Sequence, residues 1–480
     1  MKNFQLHIGR KLMIICSLML IFVHALSPPN GLGITIKEEE ELSKEVLKVV
    51  ADRYEIIQDP LISGYVNTVG KNILSIMPPQ PFSYHFYVVK QHVYNAFATP
   101  AGHIFINSGL LEALESEEEL AGILAHEISH VVCRHISQNV DRSPKIGLAT
   151  LAGIAAGIFI GAGGAAALGN AVAIGSIAAG QSVSLAFSRE DELQADQIGI
   201  AYLYQSGYGA DGLLTSLKKM RSKQWFGTDQ IPNYLMTHPA SEERMAFIDS
   251  WIESHEMPAD HKRSYQRDKF NLVKATLRGK YGNEQTAMST YQTRIQATPD
   301  DPLANYGLAL ALARTGNRKD AVSHMKKALE KKALDPYMLK ELGRIYFLDG
   351  QYEKARNTLE GSVSLTPSDF EGIFYLARAY MELGQLEKAA DTFHMVLQKN
   401  PKDKQVYLFL GNIYGQQEKL GDAHYYLGIY HKMNNRWKTA AIHLKKALQH
   451  TNDQKKKEEI EVLLKKVQKE AKRESAEKRD

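Results

Sequence analysis

His126-Glu127-Ile128-Ser129-His130 is an HExxH sequence in a run that reads as helix. A spacing of four puts both imidazoles on one helical face, where they can share one Zn²⁺. The Glu beside the first His then points at a metal-bound water, the arrangement of zinc-dependent peptide hydrolysis. The bland alternative is two surface histidines and a Glu. A third ligand must come from elsewhere. Cys133 lies about 10 Å along the axis from His126, at ~1.5 Å per residue, and reads as a buried thiol. His135, five residues beyond His130 on what reads as an unbroken helix, faces away and suits a core or hydrogen-bonding role. That leaves a carboxylate from another helix. Ser188 to Asp196 offers Glu190, Asp191, Glu192 and Asp196. Glu192 and Asp196 are four apart, hence on one face, beside small Ala195; one would bind metal while the other accepts a hydrogen bond from the far nitrogen of a ligand histidine. Spacing alone does not choose Glu192 over Glu190, since an exposed acidic face explains the string equally well.

The elements that must position these residues are mostly helical. Glu38–Gln58 and Pro60–Met77 carry apolar residues at helical spacing. Phe82–Val89 and His103–Asn107 alternate like strands, with a turn-rich connection Asn95–Gly102 between them, so a small antiparallel sheet is expected. Ser116 to Glu119 matches a helix-capping box, and the apolar helix that follows carries the HExxH through at least His135. From Ile146 to Ser188 no residue is charged and Gly and Ala dominate. This run reads as packed or membrane-surface helices, a hairpin insertion or a mobile lid, since about 20 apolar residues cross a bilayer once.

Lys2, Arg10 and Lys11 precede the apolar run Leu12–Leu26, and Val23-His24-Ala25 suits a cleavage site, so residues 1–25 read as a secretory signal peptide. An uncleaved anchor is the competing reading. Removal of Cys16 with the signal would leave Cys133 as the one thiol, which excludes an internal disulfide framework. The 480 residues, 44% apolar and 23% charged, suit two globular domains rather than one. The formal charge is +4, three units of which lie in the leader, so no basic surface for nucleic acid is expected.

The C-terminal half is a repeat array. Leu308, Leu342, Leu376 and Leu410 are spaced by 34, as are Ala321, Ala355, Ala389 and Ala423, and Gly316, Gly350 and Gly384. Pro299, Pro367 and Pro401 fall on multiples of the same period. Thirty-four residues with small residues at the crossings is the tetratricopeptide pattern. A degenerate first repeat begins near Arg267. At the far end Gly428 follows Gly411 by 17, half a period, so single helices extend the superhelix. The Lys/Glu-rich stretch after Asn452 reads as a solvated cap.

HEISH on one helix, followed by Ser188 to Asp196 as an SRxxExxAD string, resembles the membrane-linked HEXXH zinc endopeptidases. These include relatives of the prenyl-protein protease and the heat-shock zinc protease. Asn95-Ala96-Phe97-Ala98 and Leu120 to Ala125 are similar too. With a signal peptide and tetratricopeptide repeats, the chain resembles the periplasmic β-barrel assembly-enhancing group within that family. The resemblance implies that His126, His130 and Glu192 hold one zinc ion and that Glu127 is the general base. It also implies a role for Asp196 behind the ligands, and for Thr237-His238-Pro239 with Arg244. His238 would either hydrogen-bond the oxyanion or cap the metal in a resting state; the bland alternative is a loop or helix-cap histidine. One departure is Pro100-Ala101-Gly102-His103, where relatives carry a second Gly.

The expectation is therefore a mainly α protein: a signal peptide (1–25), a helical zincin-like metallopeptidase domain (26–260) with its uncharged segment 146–188, and an α-solenoid of tetratricopeptide repeats (267–480). Its partners would be polypeptide substrates, pairing with the sheet edge near Gly102–Asn107, and through the repeats an outer-membrane assembly machinery. Association with a membrane surface is a further expectation. The rival class is a chaperone or scaffold acting through the repeats, with a gated metal site.

Overall fold

The computed structural model describes residues 34–141, 187–222 and 233–477. The expected signal peptide and residues 146–186 of the uncharged segment lie outside the described residues. No helix among the described residues is long and apolar enough to cross a membrane. The chain divides into two compact units, Met1–Ile56 with Val69–Ser264, and Ile57–Thr68 with Tyr265–Asp480.

Strands β1 (Ile56–Ile57), β2 (His85–Val89), β3 (Ala96–Thr99) and β4 (His103–Asn107) form one sheet in the order β1-β2-β4-β3. The sheet is mixed, not wholly antiparallel: β2 runs parallel to β4, with His85 opposite His103, while β3 is antiparallel to β4, with Phe97 opposite Phe105. Alternation shows that a segment is extended but carries no pairing direction. The stretch read as a turn-rich connection contains β3, because all four of its residues are buried and period two disappears. Among the described residues β4 is paired on both sides and β3 on one, so the outer strand, which packs on the HExxH helix, is Ala96–Thr99 rather than Gly102–Asn107.

A single 3₁₀ turn, Pro100–Gly102, reverses the chain between β3 and β4, with Ala101 at φ 59° and Gly102 at φ 85°. A Cβ on Gly102 would stand 2.8 Å from the Ser83 carbonyl, so only Gly fits there. Ala101 takes a left-handed conformation that costs an L side chain about 1–2 kcal/mol.

Helices α1 (Ile36–Arg53), α2 (Pro60–Leu74), α3 (Ser108–Ala113), α4 (Glu117–Val132), α5 (His135–Asp141), α6 (Arg189–Gln205), α7 (Asp211–Arg221), α8 (Asn233–Thr237) and α9 (Glu242–Ser254) precede the repeats. α4 carries the HExxH and is buried from Glu119 through Val131. Its neighbours approach to backbone contact. A Cβ at Gly122 would lie 2.6 Å from the Leu213 amide nitrogen on α7, and one at Gly199 on α6 would lie 3.4 Å from the Ala125 carbonyl. Small residues in Leu120–Ala125 therefore set the depth at which the zincin-like helix sits. Ser116 caps α4 by accepting from the Glu119 amide, but Glu119 turns to the Glu115 amide instead of completing the box. α4 also stops earlier than expected. Arg134 adopts φ 55°, a turn intervenes, and His135 opens α5.

In the second unit the repeat helices pair: α10 (Arg267–Tyr281) and α11 (Glu284–Ala297), α12 (Pro302–Arg314) and α13 (Arg318–Lys331), α14 (Pro336–Leu348) and α15 (Tyr352–Leu365), α16 (Phe370–Glu382) and α17 (Leu386–Lys399), α18 (Lys404–Gln416) and α19 (Leu420–Met433). α20 (Trp437–His450) and α21 (Gln454–Glu477) close the array. Asp301, Asp335, Asp369 and Asp403 cap the first helix of four successive pairs, each accepting from two backbone amides. Paired helices cross at small residues. A Cβ on Gly343 would meet the Leu359 side chain at 2.5 Å, and one on Gly411 would meet Leu427 at 2.7 Å. Gly428 makes the same approach to Leu444 at 2.8 Å, so α19 serves as second helix of one pair and first helix of the next. That is the physical content of the half-period slip. α21 buries Ile460, Leu464 and Val467 against Ala440, Leu444 and Ala447, leaving its charged face outward.

Candidate active site

Four donors converge between α4, α6 and the end of α8. His126 Nε2 lies 3.1 Å from His130 Nε2 and 3.3 Å from His238 Nδ1. Glu192 places Oε1 2.9 Å from His238 Nδ1 and 3.4 Å from His130 Nε2, and Oε2 3.3 Å from His126 Nε2. All four residues are buried, and one ligand atom from each lies within 4.8 Å of the others, a set able to hold a metal ion. A turn of α4 brings the two histidines to one face. α6 supplies Glu192 from its first turn because Ser188 and Asp191 fix its start with a reciprocal capping box. Asp191 is thereby committed to the cap, and Glu190 is exposed.

A second layer holds the donors in place. Asp196 Oδ1 stands 2.9 Å from His126 Nδ1. Arg244 on α9 donates to both Asp196 oxygens, at 2.6 and 2.8 Å, and its remaining nitrogen reaches Glu192 Oε2 at 2.5 Å and the Pro239 carbonyl at 2.9 Å. One guanidinium thus braces the carboxylate of the donor set, the carboxylate behind it and the chain just after His238. His130 is held from its far side too. His135 Nδ1 approaches His130 Nδ1 at 3.0 Å while its Nε2 meets Gln194 Oε1 at 2.9 Å. His135 does not face away, as an unbroken helix would require; the turn at Arg134 swings it back onto His130. Phe187 stacks on His130 at 3.9 Å between ring centres, and Tyr234 stacks on His238 at 4.6 Å.

Glu127 sits beside this set. Neither of its buried carboxylate oxygens accepts a hydrogen bond among the described residues, and Oε1 lies 3.6 Å from His238 Nε2. A buried carboxylate without donors is costly unless it serves chemistry at that point.

The electrostatics call for positive charge at the point of convergence. Burial opposes the charged form of His126, but Glu192 and Asp196 outweigh it and push its pKa up to about 9. Burial holds His130 well below the usual histidine value. Burial would raise Glu192, yet His238, Arg244 and His126 hold its carboxyl well below the usual range, and Arg244 does the same for Asp196. A cation shared by the three imidazoles and Glu192 meets that demand with the imidazoles neutral, the form in which they bind metal. The donor chemistry fits a metal site.

A buried cluster able to hold a metal ion, on an HExxH helix, is followed in the chain by a tetratricopeptide array, and the comparisons with known proteins point the same way. Residues 65–252 match the family model described as Peptidase family M48, and residues 287–336, 306–370 and 346–413 match tetratricopeptide repeat models. The β-barrel assembly-enhancing protease of Yersinia pestis is 26% identical over 322 residues, covering 66% of this chain and 63% of that protein. Its Escherichia coli (strain K12) counterpart is 27% identical over the same shares. The metalloprotease LoiP of Escherichia coli (strain K12) is 29% identical over 187 residues, covering 39% of this chain and 68% of that one. The matched stretch therefore spans a little under two thirds of the two assembly-enhancing relatives.

The choice among the acids can be tested directly. Glu192→Ala should strip most bound metal from the purified protein, whereas Glu190→Ala should leave metal content unchanged, as read by elemental analysis. Equal metal in both variants would remove Glu192 from the donor set.

Proposed function

We propose that this chain is an exported, periplasmic zinc endopeptidase that cleaves misfolded or stalled envelope polypeptides, with the repeats selecting the substrate or a partner complex. The observation carrying this reading is the convergence of His126, His130, Glu192 and His238 beside an unbonded Glu127. Donors at ~2.0–2.1 Å around one tetrahedral zinc ion stand about 3.3 Å apart; His126 to His130, to His238 and to Glu192, and Glu192 to His130 and to His238, are separated by 2.9 to 3.4 Å, and the whole set lies within 4.8 Å. One zinc ion per chain fits. When bound, it supplies a Lewis acid for the scissile carbonyl and lowers the pKa of water to about 7. Glu127 would take the proton of the attacking water and deliver it to the leaving amine. Asp196 and Arg244 orient His126 and Glu192, and His135 orients His130.

His238 acts in this reading as a gate. Its Nδ1 faces the other three donors, in the position that a water or substrate oxygen needs during turnover. The segment carrying it is tied to the sheet, because the Tyr234 amide donates to the Tyr94 carbonyl at 3.0 Å, just ahead of β3. An extended substrate adding to Ala96–Thr99 would follow the same edge, so docking of the chain and withdrawal of His238 are coupled. The uncharged segment 146–188, which reads from sequence as a lid or a membrane-facing segment, joins the chain that carries His126 and His130 to α6.

His238→Ala should retain zinc and raise cleavage of casein several-fold. Lower turnover with zinc retained would assign His238 to oxyanion support instead, and unchanged activity would eliminate both roles. If no variant cleaves any polypeptide while the repeats still bind a partner, the scaffold reading replaces the enzymatic one.

A further inference from the structure

The first helices of the repeat pairs carry a row of cations, and all but one of those along α10, α14 and α16 that reach the buried network are matched by carboxylates. Lys280 Nζ lies 2.7 Å from Asp59, 3.0 Å from Glu341 and 3.1 Å from Glu371. Lys340 Nζ lies 2.7 Å from Glu371 and 3.5 Å from Asp369, and Arg344 Nε donates to Glu341 at 2.6 Å. Arg378 occupies the position equivalent to Arg344 one repeat later, 34 residues on. Its guanidinium makes no hydrogen bond or ion pair with any described residue, and its Nε is sealed from solvent without an acceptor. What surrounds it is aromatic. Its Cζ stands 4.4 Å from the ring centre of Phe347, 5.4 Å from that of Phe409 and 5.9 Å from that of Phe374.

A guanidinium tolerates such a setting because it is weakly hydrated and stacks on rings. Ring contacts favour the charge but supply no acceptor for its N–H donors. The terminal nitrogens, which unlike Nε are not sealed, can offer two parallel bonds to the carboxylate of an incoming segment. Phe374 and Phe409 are partly exposed beside it and present apolar surface to whatever follows the carboxylate. The same unit shows how such a segment is held. Asp59, which precedes Pro60-Leu61, gives its carboxylate to Lys280, while Tyr65 packs its ring against Phe270 at 5.9 Å. An internal Asp followed by apolar and aromatic residues is thus already gripped by a cation and a ring of the repeats.

We propose that Arg378, with Phe347, Phe374 and Phe409, is a docking site for an extended polypeptide segment presenting an Asp or Glu side-chain carboxylate beside a large apolar residue. The inference rests on the reading that the repeats select polypeptides and is independent of the zinc chemistry. Its test uses the full chain carrying Glu127→Gln, so that bound peptides are not consumed. An array of matched twelve-residue peptides with amidated ends would be probed, differing at the centre as Phe-Asp, Phe-Asn, Ala-Asp and Phe-Lys. Phe-Asp should be retained at least tenfold more strongly than Phe-Asn or Phe-Lys. Adding Arg378→Gln should erase that difference, and Arg378→Lys should keep part of it. Absence of discrimination between Asp and Asn, or discrimination that survives Arg378→Gln, overturns the proposal. Peptide discrimination in a protein that never cleaves would leave this site standing while the peptidase reading fell.

Discussion

Glu127→Gln should lower polypeptide cleavage by about a thousandfold or more while leaving metal content at the wild-type level. The amide keeps the size of the side chain and removes the proton acceptor, and general-base catalysis is worth roughly 10²–10⁴. The ligands are untouched, since Glu127 is not one of the four converging donors. Its oxygens accept no hydrogen bond among the described residues, so the substitution breaks no structural bond. Measured kcat on a fluorogenic peptide, with zinc determined in the same preparation, separates loss of the base from loss of the metal. Wild-type turnover would place the base elsewhere.

Arg244→Met should be the most damaging substitution behind the site. The guanidinium is buried, hydrogen-bonds Asp196 through two nitrogens and forms an ion pair with Glu192 through the third. Removing it leaves two buried carboxylates without their cation, and breaking a buried pair from one side costs about 3–5 kcal/mol. Asp196 and Glu192 would then lose their orientation toward His126, and disturbance of such supporting bonds weakens metal affinity by roughly 10–100-fold. The melting temperature should fall by several degrees and chelator competition should extract the metal more readily. Arg244→Lys should recover only part of both, because an ammonium cannot reproduce the fork. A variant with unchanged melting and metal affinity would show that the bridge carries neither role.

The repeat array was readable because its signal is redundant: Leu342, Gly343, Gly350 and Ala355 recur at one period, and each has a packing or turn reason to recur. The aspartate caps at residues 301, 335, 369 and 403 carry the same period and could have been read with them. The sheet was legible as extended segments but not as a topology. β3 is uniformly buried, and the parallel pairing of β2 with β4 depends on β3 lying outside β4, which no local pattern encodes. The HExxH spacing points to chemistry on its own, whereas the choice of Glu192 among four acids does not follow from spacing. It needs the capping of Asp191 and the exposure of Glu190, both properties of the folded helix. His135 was misplaced for a similar reason. Arg134 takes a left-handed conformation without being Gly or Asn, so nothing in the sequence announces the turn that carries His135 back to His130.

Digestion of casein and of an unfolded outer-membrane protein by the full chain, with and without chelator and with zinc restored, tests the central claim most directly. Fragments should form, cease with chelator and return on addition of about one equivalent of Zn²⁺, with His238→Ala included as the ungated enzyme. Cleavage that persists in chelator, or no cleavage by either the zinc-loaded wild-type or the zinc-loaded His238→Ala protein, would contradict a zinc peptidase built on His126, His130, Glu192 and Glu127.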